Sequence, residues 1–325
     1  MKILVTGATG FIGENLVKRL TLEEHNVACL VRKTSNTVFL ERLNVPLTVC
    51  DILDKNETDR AFAEIRPDIV FHCAAKVGGD KFAEELMKVN TMTTRNICGA
   101  GFASDIKRLI YISSVSVISG NKQVPLTDDM PYKASNAYGK SKIEAERIAV
   151  GFRNKGLRTA IIRPCMVYGE GEPHALDKLF KKIIRRYLPV LDIPEVDSKL
   201  HLGYIDNIVE VLMLAMDKDE ALEGTFMAAD KSVITIRSFM ELLYSELLGA
   251  RPLVIPRKLI NAAMVIPPVR KIIKQYFKHR VYDISRAEEL LGYDPKISTE
   301  EGLKRTIGYW KQQVPTGIPL SSDIM

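Results

Sequence analysis

The sequence predicts an α/β protein, with a doubly wound parallel sheet and a smaller, mostly helical C-terminal domain. Short apolar runs alternate with helix-like stretches through the first half of the chain, which is the pattern of a parallel sheet wrapped by helices. These runs are continuously apolar rather than alternating, as expected for strands that helices cover on both faces. Because crossover connections between parallel strands are almost always right-handed, few topologies remain.

The predicted elements follow in order along the chain. Strands are predicted at residues 3–6, 27–31, 47–49, 69–72, 108–112, 158–162 and 224–229. Helices are predicted at residues 12–20, 56–65, 82–102 and 137–153. Beyond Pro164, prolines and a basic helix interrupt the alternation. We therefore assign residues 1–165 and 204–235 to the sheet domain, and residues 166–203 and 236–325 to a second domain.

The composition describes an ordinary globular protein and argues against several function classes. The formal net charge of +6 over 325 residues is spread along the chain, so no nucleic-acid surface is predicted. No apolar run approaches the ~20 residues that cross a bilayer. No signal peptide precedes the first strand, so we expect a cytoplasmic protein. The five cysteines have no metal-like spacing, which favours buried thiols in a reducing compartment and no metal site.

A glycine-rich turn, Gly7-x-x-Gly10-x-x-Gly13, follows the first strand and opens the first helix. Glycine lets the backbone adopt dihedral angles that other residues avoid and approach a pyrophosphate closely. The unpaired N–H groups at the start of the helix favour an anion. The turn therefore predicts a dinucleotide cofactor, and the alternative is an ordinary strand-to-helix turn. The predicted contacts are Gly7, Thr9, Gly10, Phe11, Ile12 and Gly13.

Two cations, Arg32 and Lys33, follow the second strand, where a carboxylate would bind the 2′-hydroxyl group of NAD. Arginine suits a phosphate because its planar fork bonds two oxygens, so the sequence favours NADP over NAD. The alternative is a pair of solvated loop charges. After the third strand, Asp51 and Ile52 are predicted to contact the adenine, and a helix-capping role for Asp51 is the alternative.

Tyr138 and Lys142 lie four residues apart on one predicted helix and project from the same face. The lysine charge, with that of an oxidised nicotinamide, is expected to lower the pKa of the tyrosine so that it moves protons near neutral pH. The spacing alone is common by chance, and the glycine turn upstream is what favours a catalytic role. Ser113 and Ser114 end the fifth strand, where ligands of such sheets bind. Ser114 is predicted to orient the reacting oxygen.

Together these motifs resemble the extended short-chain dehydrogenase/reductase superfamily, which includes the NAD-dependent epimerase/dehydratase family. The resemblance rests on residues 6–13, 51–52, 71–75, 89–90, 112–114, 138–142, 163–169, 204–207, 283–287 and 309–310. It implies a Rossmann fold, a C-terminal substrate domain and a catalytic triad of Ser114, Tyr138 and Lys142. The further cofactor-binding residues predicted from it, beside Tyr138 and Lys142 themselves, are Ala74, Ala75, Lys76, Asn90, Pro164 and Val167.

Within the superfamily the chain is most similar to the branch of 3β-hydroxysteroid dehydrogenases and dihydroflavonol reductases. Sugar-nucleotide enzymes usually carry an asparagine where this chain has Met166, and an arginine in the region where it has Lys199 to Gly203. Lys199 still offers a phosphate a point charge. The resemblance implies an NAD(P)-dependent oxidoreductase for a secondary alcohol or ketone of an apolar molecule. A sugar-nucleotide epimerase or dehydratase with tightly bound NAD is the alternative, and a non-catalytic NAD(P)-sensing regulator is a remote one.

Two further surfaces are predicted to meet partners. Residues 253–282 mix apolar side chains with cations, which suits peripheral contact with an anionic membrane. The alternative for this segment is a substrate-domain helix with a solvated basic face. The resemblance also implies a homodimer that forms through the helices predicted at residues 82–102 and 137–153.

Overall fold

The structure is a computed structural model that describes residues 1–172, 176–185, 189–222, 224–263 and 279–313. Its strands are β1 (Lys2–Thr6), β2 (Asn26–Val31), β3 (Leu47–Val49), β4 (Ile69–His72), β5 (Arg108–Ile112), β6 (Thr159–Pro164), β7 (Met166–Tyr168), β8 (Val190–Leu191), β9 (Lys199–Leu200), β10 (Leu202–Tyr204), β11 (Thr225–Ala228), β12 (Ile234–Thr235) and β13 (Val254–Ile255). Seven of them form one parallel sheet in the order β11-β6-β5-β4-β1-β2-β3. This confirms the predicted doubly wound fold.

Helices connect these strands. They are α1 (Phe11–Leu22), α2 (Val38–Arg42), α3 (Lys55–Ile65), α4 (Ala83–Ala103), α5 (Ala137–Arg153), α6 (Leu176–Ile184), α7 (Ile205–Asp217), α8 (Ile236–Leu248) and α9 (Arg257–Ala263), followed by the helices Ser285–Leu291 and Thr299–Gln313. Short 3₁₀ helices lie at Asp80–Phe82, Val115–Ile118, Pro194–Asp197 and Asp219–Ala221. The predicted bounds of α5 agree with the structure, and the other predicted helices differ by one or two residues at their ends.

The strands of the main sheet form where continuous apolar sequence is covered from both sides. Every residue of β4, β5 and β6 is buried, as parallel sheets with helices on both faces require. Side-chain capping helps to fix the starts of the covering helices. Asp54, for example, accepts hydrogen bonds from the N–H groups of Asn56 and Glu57 at the start of α3. The core draws side chains from adjacent strands and from the covering helices, among them Leu4, Val70, Leu109, Ile161, Ile97 and Ala145.

The chain forms two compact units. The first comprises Met1–Cys165, Asp206–Ala228 and Asp283–Asp294, and the second comprises Met166–Ile205, Ala229–Tyr282 and Pro295–Met325. All of residues 236–325 are predicted to belong to the second domain, whereas the helix Ser285–Leu291 lies in the first unit. There Arg286 lies 5.4 Å from the ring centre of Phe226 on β11. This helix covers the edge strand of the main sheet, a placement that the local sequence pattern does not encode.

The described residues of the second unit form three two-stranded sheets, β10-β7, β12-β9 and β13-β8. Its segments meet at the carboxylate of Asp230, which is fully buried. Oδ1 accepts a hydrogen bond from the N–H of Tyr204 at 2.7 Å. Oδ2 accepts from the hydroxyl groups of Tyr168 at 3.1 Å and Thr299 at 3.0 Å. Because a buried carboxylate without partners is costly, these bonds make the four residues a structural centre of the unit.

The five cysteines are free thiols. Burial raises the pKa of Cys29, Cys73 and Cys98 to about 12. At neutral pH these three groups are therefore thiols rather than thiolates, and their reactivity as nucleophiles is low.

The segment predicted to contact a membrane, residues 253–282, lies partly outside the described residues, because its positions 264–278 are not described. Two leucines in its described part are well exposed, Leu253 at 67% and Leu259 at 64%. Among the helices that the structure describes, none is both long and apolar enough to cross a membrane.

Candidate active site

The glycine-rich turn is held close to the end of β4. Gly7 has a left-handed φ of +69°, and a Cβ atom on it would lie 2.6 Å from the backbone nitrogen of Ala74. A Cβ atom on Gly13 would lie 2.1 Å from the carbonyl oxygen of Gly7. Only glycine fits both positions. Helix α1 begins after Gly10 with no side-chain cap, so the turn and the start of the helix fit an anionic pyrophosphate.

The residues predicted to bind the adenosine end follow β2 and β3. Arg32 and Lys33 are exposed directly after β2, and Asp51 is exposed after β3. The Asp51 carboxylate accepts a hydrogen bond from the N–H of Leu53 at 3.0 Å, which forms a local turn. The side-chain cap of α3 is Asp54, so the helix-capping alternative for Asp51 is not met. The side chains of Arg32, Lys33 and Asp51 lie at the carboxyl ends of neighbouring strands, where ligands of doubly wound sheets bind.

Asn90 on α4 connects the end of β4 to the helix that carries Tyr138. Its Oδ1 accepts a hydrogen bond from the N–H of Lys76 at 2.7 Å, and its Nδ2 donates to the carbonyl oxygen of Lys76 at 3.1 Å. Nδ2 also donates to the hydroxyl of Ser141 at 2.9 Å. Asn90 is 1% exposed, and its hydrogen bonds connect α4 to α5 and to Lys76 in the loop after β4.

The start of α5 is fixed by two side chains. Asn136 accepts a hydrogen bond from the N–H of Gly139 at 2.8 Å, and Asp80 accepts one from the N–H of Ala137 at 2.7 Å. A Cβ atom on Gly139 would lie 2.6 Å from the carbonyl oxygen of Ser116. The glycine after Tyr138 therefore lets α5 lie directly against the 3₁₀ helix that follows β5.

The structure brings together the three residues predicted to be catalytic. The side chain of Ser114 hydrogen-bonds to Tyr138, and this contact opposes the burial that raises the pKa of Tyr138 to about 12. Lys142 is 2% exposed, and its burial lowers the pKa of the ammonium to about 8. At neutral pH the site therefore holds a neutral phenol and, one helical turn along α5, a buried ammonium. A neutral phenol is suited to giving a proton to an oxygen atom.

The expectation that Lys142 lowers the pKa of Tyr138 is not met in this structure. Nζ of Lys142 donates a hydrogen bond to the carbonyl oxygen of Ile112 at 2.8 Å and lies 4.6 Å from the ring centre of Tyr111. The ammonium is thus directed at β5. The hydrogen bond from Ser114, rather than Lys142, is what opposes the rise in the pKa of Tyr138 that burial causes.

Glu146 is not among the predicted site residues, and it is fully buried one turn beyond Lys142. Its Oε1 lies 2.5 Å from Nη2 of Arg163, which is itself 4% exposed. Its other partners are the hydroxyl groups of Tyr132 and Ser113. The signal available in the sequence was the four-residue spacing, because Glu146 continues the helix face of Tyr138 and Lys142.

Two predicted cofactor contacts lie further along the chain. Pro164 ends β6 and is paired with Ala228 of β11, in the first unit. Val167 lies on β7 in the second unit, paired with Gly203 of β10.

Comparison with known proteins identifies the family. The model of the NAD dependent epimerase/dehydratase family matches residues 3–228. A 3-beta-hydroxysteroid dehydrogenase from Mycolicibacterium neoaurum is 25% identical, with 95% of this chain and 91% of that protein covered. A UDP-glucose 4-epimerase from Vibrio cholerae is 30% identical, with 94% of each covered. The crystal structure of the Thermotoga maritima UDP-glucose 4-epimerase with UDP-glucose has a TM-score of 0.78 and 25% identity, covering 96% of this chain and 99% of that one. The chain therefore belongs to the NAD-dependent epimerase/dehydratase family and is an enzyme of the extended short-chain dehydrogenase/reductase type.

Proposed function

We propose that the protein is an NADP-dependent oxidoreductase that transfers a hydride between the nicotinamide and a secondary alcohol or ketone of an apolar molecule. The relatives include both steroid dehydrogenases and sugar-nucleotide epimerases, so the choice rests on individual side chains.

The main support for an apolar substrate is the side chain of Met166. It lies on β7 and is 41% exposed, at the position where sugar-nucleotide enzymes usually have an asparagine. A thioether offers a diphosphate no hydrogen-bond donor, whereas it packs well against an apolar surface. We therefore expect this position to favour an apolar substrate.

His201 adds support from the region where sugar-nucleotide enzymes usually carry an arginine. It is 4% exposed, and both ring nitrogens are engaged. Nδ1 accepts a hydrogen bond from the N–H of Tyr282 at 3.1 Å, so Nε2 is the nitrogen that donates to the carbonyl oxygen of Asp230 at 2.5 Å. Burial lowers the pKa of His201. This neutral, fully engaged ring offers no charge to a diphosphate, and Lys199 is the exposed cation nearby in sequence.

The chemistry of the chain's own residues follows from the geometry. When bound, the nicotinamide accepts or donates the hydride. In the reductive direction, the neutral phenol of Tyr138 gives its proton to the carbonyl oxygen of the substrate. Ser114 hydrogen-bonds to that phenol and orients the same oxygen, while Lys142 is the residue of this helix that would contact the bound cofactor.

The preference for NADP rests on Arg32 and Lys33. Both are exposed directly after β2. The guanidinium of Arg32 can donate two hydrogen bonds to the 2′-phosphate, and the ammonium of Lys33 adds a second positive charge.

A sugar-nucleotide epimerase is the second candidate, and the 30% identity with the Vibrio cholerae enzyme favours it. Such an enzyme oxidises and reduces its substrate in turn, without net use of the cofactor. Lys199 would then supply charge to the diphosphate.

Two parallel assays separate the candidates. The purified protein is incubated with the 3β-hydroxysteroid pregnenolone and NADP⁺, and reduced cofactor is followed by its absorbance. In the second assay it is incubated with UDP-glucose and no added cofactor, and UDP-galactose is measured by chromatography. We expect reduced cofactor in the first assay and no UDP-galactose in the second. UDP-galactose, together with stoichiometric NAD released on denaturation, would establish the epimerase and overturn the proposal.

We also propose that the protein is a homodimer formed through α4 and α5. Met92 and Phe102 on α4 are 38% and 46% exposed, and apolar side chains of this kind are typical of homodimer interfaces. Light scattering should give twice the chain mass of 36.5 kDa, and Met92→Glu should reduce it to one chain mass. A native protein of one chain mass would contradict the dimer.

A further inference from the structure

Three consecutive residues at the end of β5 contact three successive turns of helix α5. The carbonyl oxygen of Ile112 accepts a hydrogen bond from Lys142. The hydroxyl of Ser113 donates to Glu146, and the hydroxyl of Ser114 is hydrogen-bonded to the phenol of Tyr138. Ser113 and Glu146 are not part of the predicted triad, but their contact lies between the contacts made by Lys142 and by Tyr138.

Glu146 is the residue on which this arrangement converges. Oε1 accepts hydrogen bonds from Nη2 of Arg163 at 2.5 Å and from the hydroxyl of Tyr132 at 2.8 Å. Nε of Arg163 lies 3.2 Å from both carboxylate oxygens, and Ser113 donates to Oε2. One carboxylate thus joins β6, the end of β5 and the loop before α5.

The pair of Glu146 and Arg163 is not explained by stability alone. Buried ion pairs are often no more stabilising than apolar side chains of the same size, because both charges lose their hydration. Here the pair is fully hydrogen-bonded, and Nη1 of Arg163 also donates to the carbonyl oxygen of Asp128 at 2.9 Å. Because burying this ion pair has a desolvation cost, we expect the Glu146 charge to have an effect on its neighbours.

That effect is visible in the surroundings of Lys142. Within the described part of the chain, the titratable groups that interact with it are His72 and Cys73 at the end of β4, Tyr111 on β5, and Glu146 on its own helix. Burial lowers the pKa of His72 to about 3 and raises that of Cys73 to about 12, so both are neutral at neutral pH. Among these groups Glu146 alone brings a negative charge to the buried ammonium.

We propose that Glu146 is a positioning residue of the proton-transfer site. Its carboxylate, held by Arg163, keeps the side chain of Lys142 an ammonium and holds the Ser113-Ser114 end of β5 against α5. The inference rests on the shared Tyr138 and Lys142 chemistry of the proposed function and does not depend on whether the substrate is apolar or a sugar nucleotide.

The test is to titrate Lys142 directly in the protein without substrate or cofactor. Lysine labelled with ¹³C at Cε reports its own protonation by NMR, and the Lys142 signal is assigned by its loss in Lys142→Met. We expect a midpoint near pH 8 in the native protein, as the pKa of about 8 indicates. In Glu146→Gln the midpoint should be about 1 pH unit lower, because the anion is lost while the side-chain shape is kept.

The matched control is Glu144→Gln on the same helix, where Glu144 is 45% exposed and pairs with Arg147. Its Lys142 midpoint should equal that of the native protein. If Glu146→Gln does not fold, the double variant Glu146→Gln/Arg163→Gln removes both charges and leaves no unpaired ion, and the same lowering is expected. A native Lys142 midpoint in the folded variant overturns the proposal. Because the titration uses no substrate, that result is distinct from a failure of the pregnenolone assay.

Discussion

The side chain of Ser114 hydrogen-bonds to Tyr138, and this contact opposes the burial that raises the pKa of Tyr138 to about 12. The phenol is therefore neutral at neutral pH and already paired with the residue that is to share the substrate oxygen. In the proposed mechanism, the proton is therefore held by a phenol that is already hydrogen-bonded to Ser114 before substrate binds.

Tyr138→Phe should lower kcat/KM by about 10²-fold or more, since the proton donor is lost. The dissociation constant of NADPH should stay within about 3-fold, because the ring remains in place. Turnover is measured with whichever of pregnenolone and UDP-glucose the native enzyme converts, and binding by fluorescence titration. The control is Tyr309→Phe, at a tyrosine that is 40% exposed. Native turnover in Tyr138→Phe would remove the proposed mechanism.

Arg32→Ala should weaken NADPH about 10-fold or more while changing NADH affinity by less than about 3-fold, since only NADPH carries the 2′-phosphate. The backbone contacts of Arg32 with Ser35 do not involve the guanidinium, so the loop should keep its shape. Isothermal titration with each cofactor measures the difference. Arg42→Ala, at an exposed arginine that ends α2, serves as the control. Equal losses for the two cofactors would contradict the NADP assignment.

Asp128→Asn should stabilise the protein at neutral pH. Burial raises the pKa of Asp128 from 3.8 to about 7, so the folded state binds the proton more tightly than the unfolded state. The free energy of unfolding therefore falls as the pH rises from about 4 to about 7. Asparagine keeps the shape without the charge, and we expect a gain of about 1–2 kcal/mol near pH 8 and little change near pH 4.

Urea unfolding of the native protein, Asp128→Asn and Asp129→Asn across this pH range measures the effect of Asp128. Asp129 is exposed, so its variant should follow the native curve. If the free energy of unfolding of Asp128→Asn and of the native protein depended on pH in the same way, the Asp128 carboxyl would have the same pKa in the folded and unfolded states, contrary to the prediction.

Gly13→Ala should destabilise the protein by about 2 kcal/mol or more and weaken dinucleotide binding. The new Cβ atom would lie 2.1 Å from the carbonyl oxygen of Gly7, so the turn must shift. Gly99→Ala on α4 is the control, since its Cβ atom would meet Phe152 at 3.8 Å, an ordinary contact. That variant should gain up to about 1 kcal/mol from helix propensity. Urea unfolding and NADH titration test both, and a stable, fully binding Gly13→Ala would refute the tight-turn argument.

We propose that the described part of residues 253–282 contacts anionic lipid. Leu253 and Leu259 are exposed beside the exposed cations Arg257 and Lys258, and charge and apolar area together favour an anionic surface. In flotation assays the native protein should bind phosphatidylcholine vesicles only when they contain phosphatidylglycerol. Leu253→Ser/Leu259→Ser should bind less. Equal binding by both proteins would assign the contact elsewhere.

Most of the main sheet follows from local sequence. Strands such as β4 and β5 are continuous apolar runs, and their predicted bounds agree with the structure. The end of β6 is different, because the strand continues to Pro164, two residues beyond its prediction. Parallel pairing of Pro164 with Ala228 on β11 extends it there, and such pairing with a distant strand leaves no local pattern.

The candidate site divides in the same way. The glycine turn and the four-residue spacing of Tyr138 and Lys142 are local motifs, and they are the features from which a nicotinamide cofactor and proton transfer by this pair are predicted. The contact of Lys142 with Ile112, and the pair of Glu146 with Arg163 at a separation of 17 residues, arise only when the fold brings different elements together. The physical reason is that periodicity and turn chemistry depend on neighbours in the chain, whereas the partner of a buried charge depends on which strand the fold brings beside it.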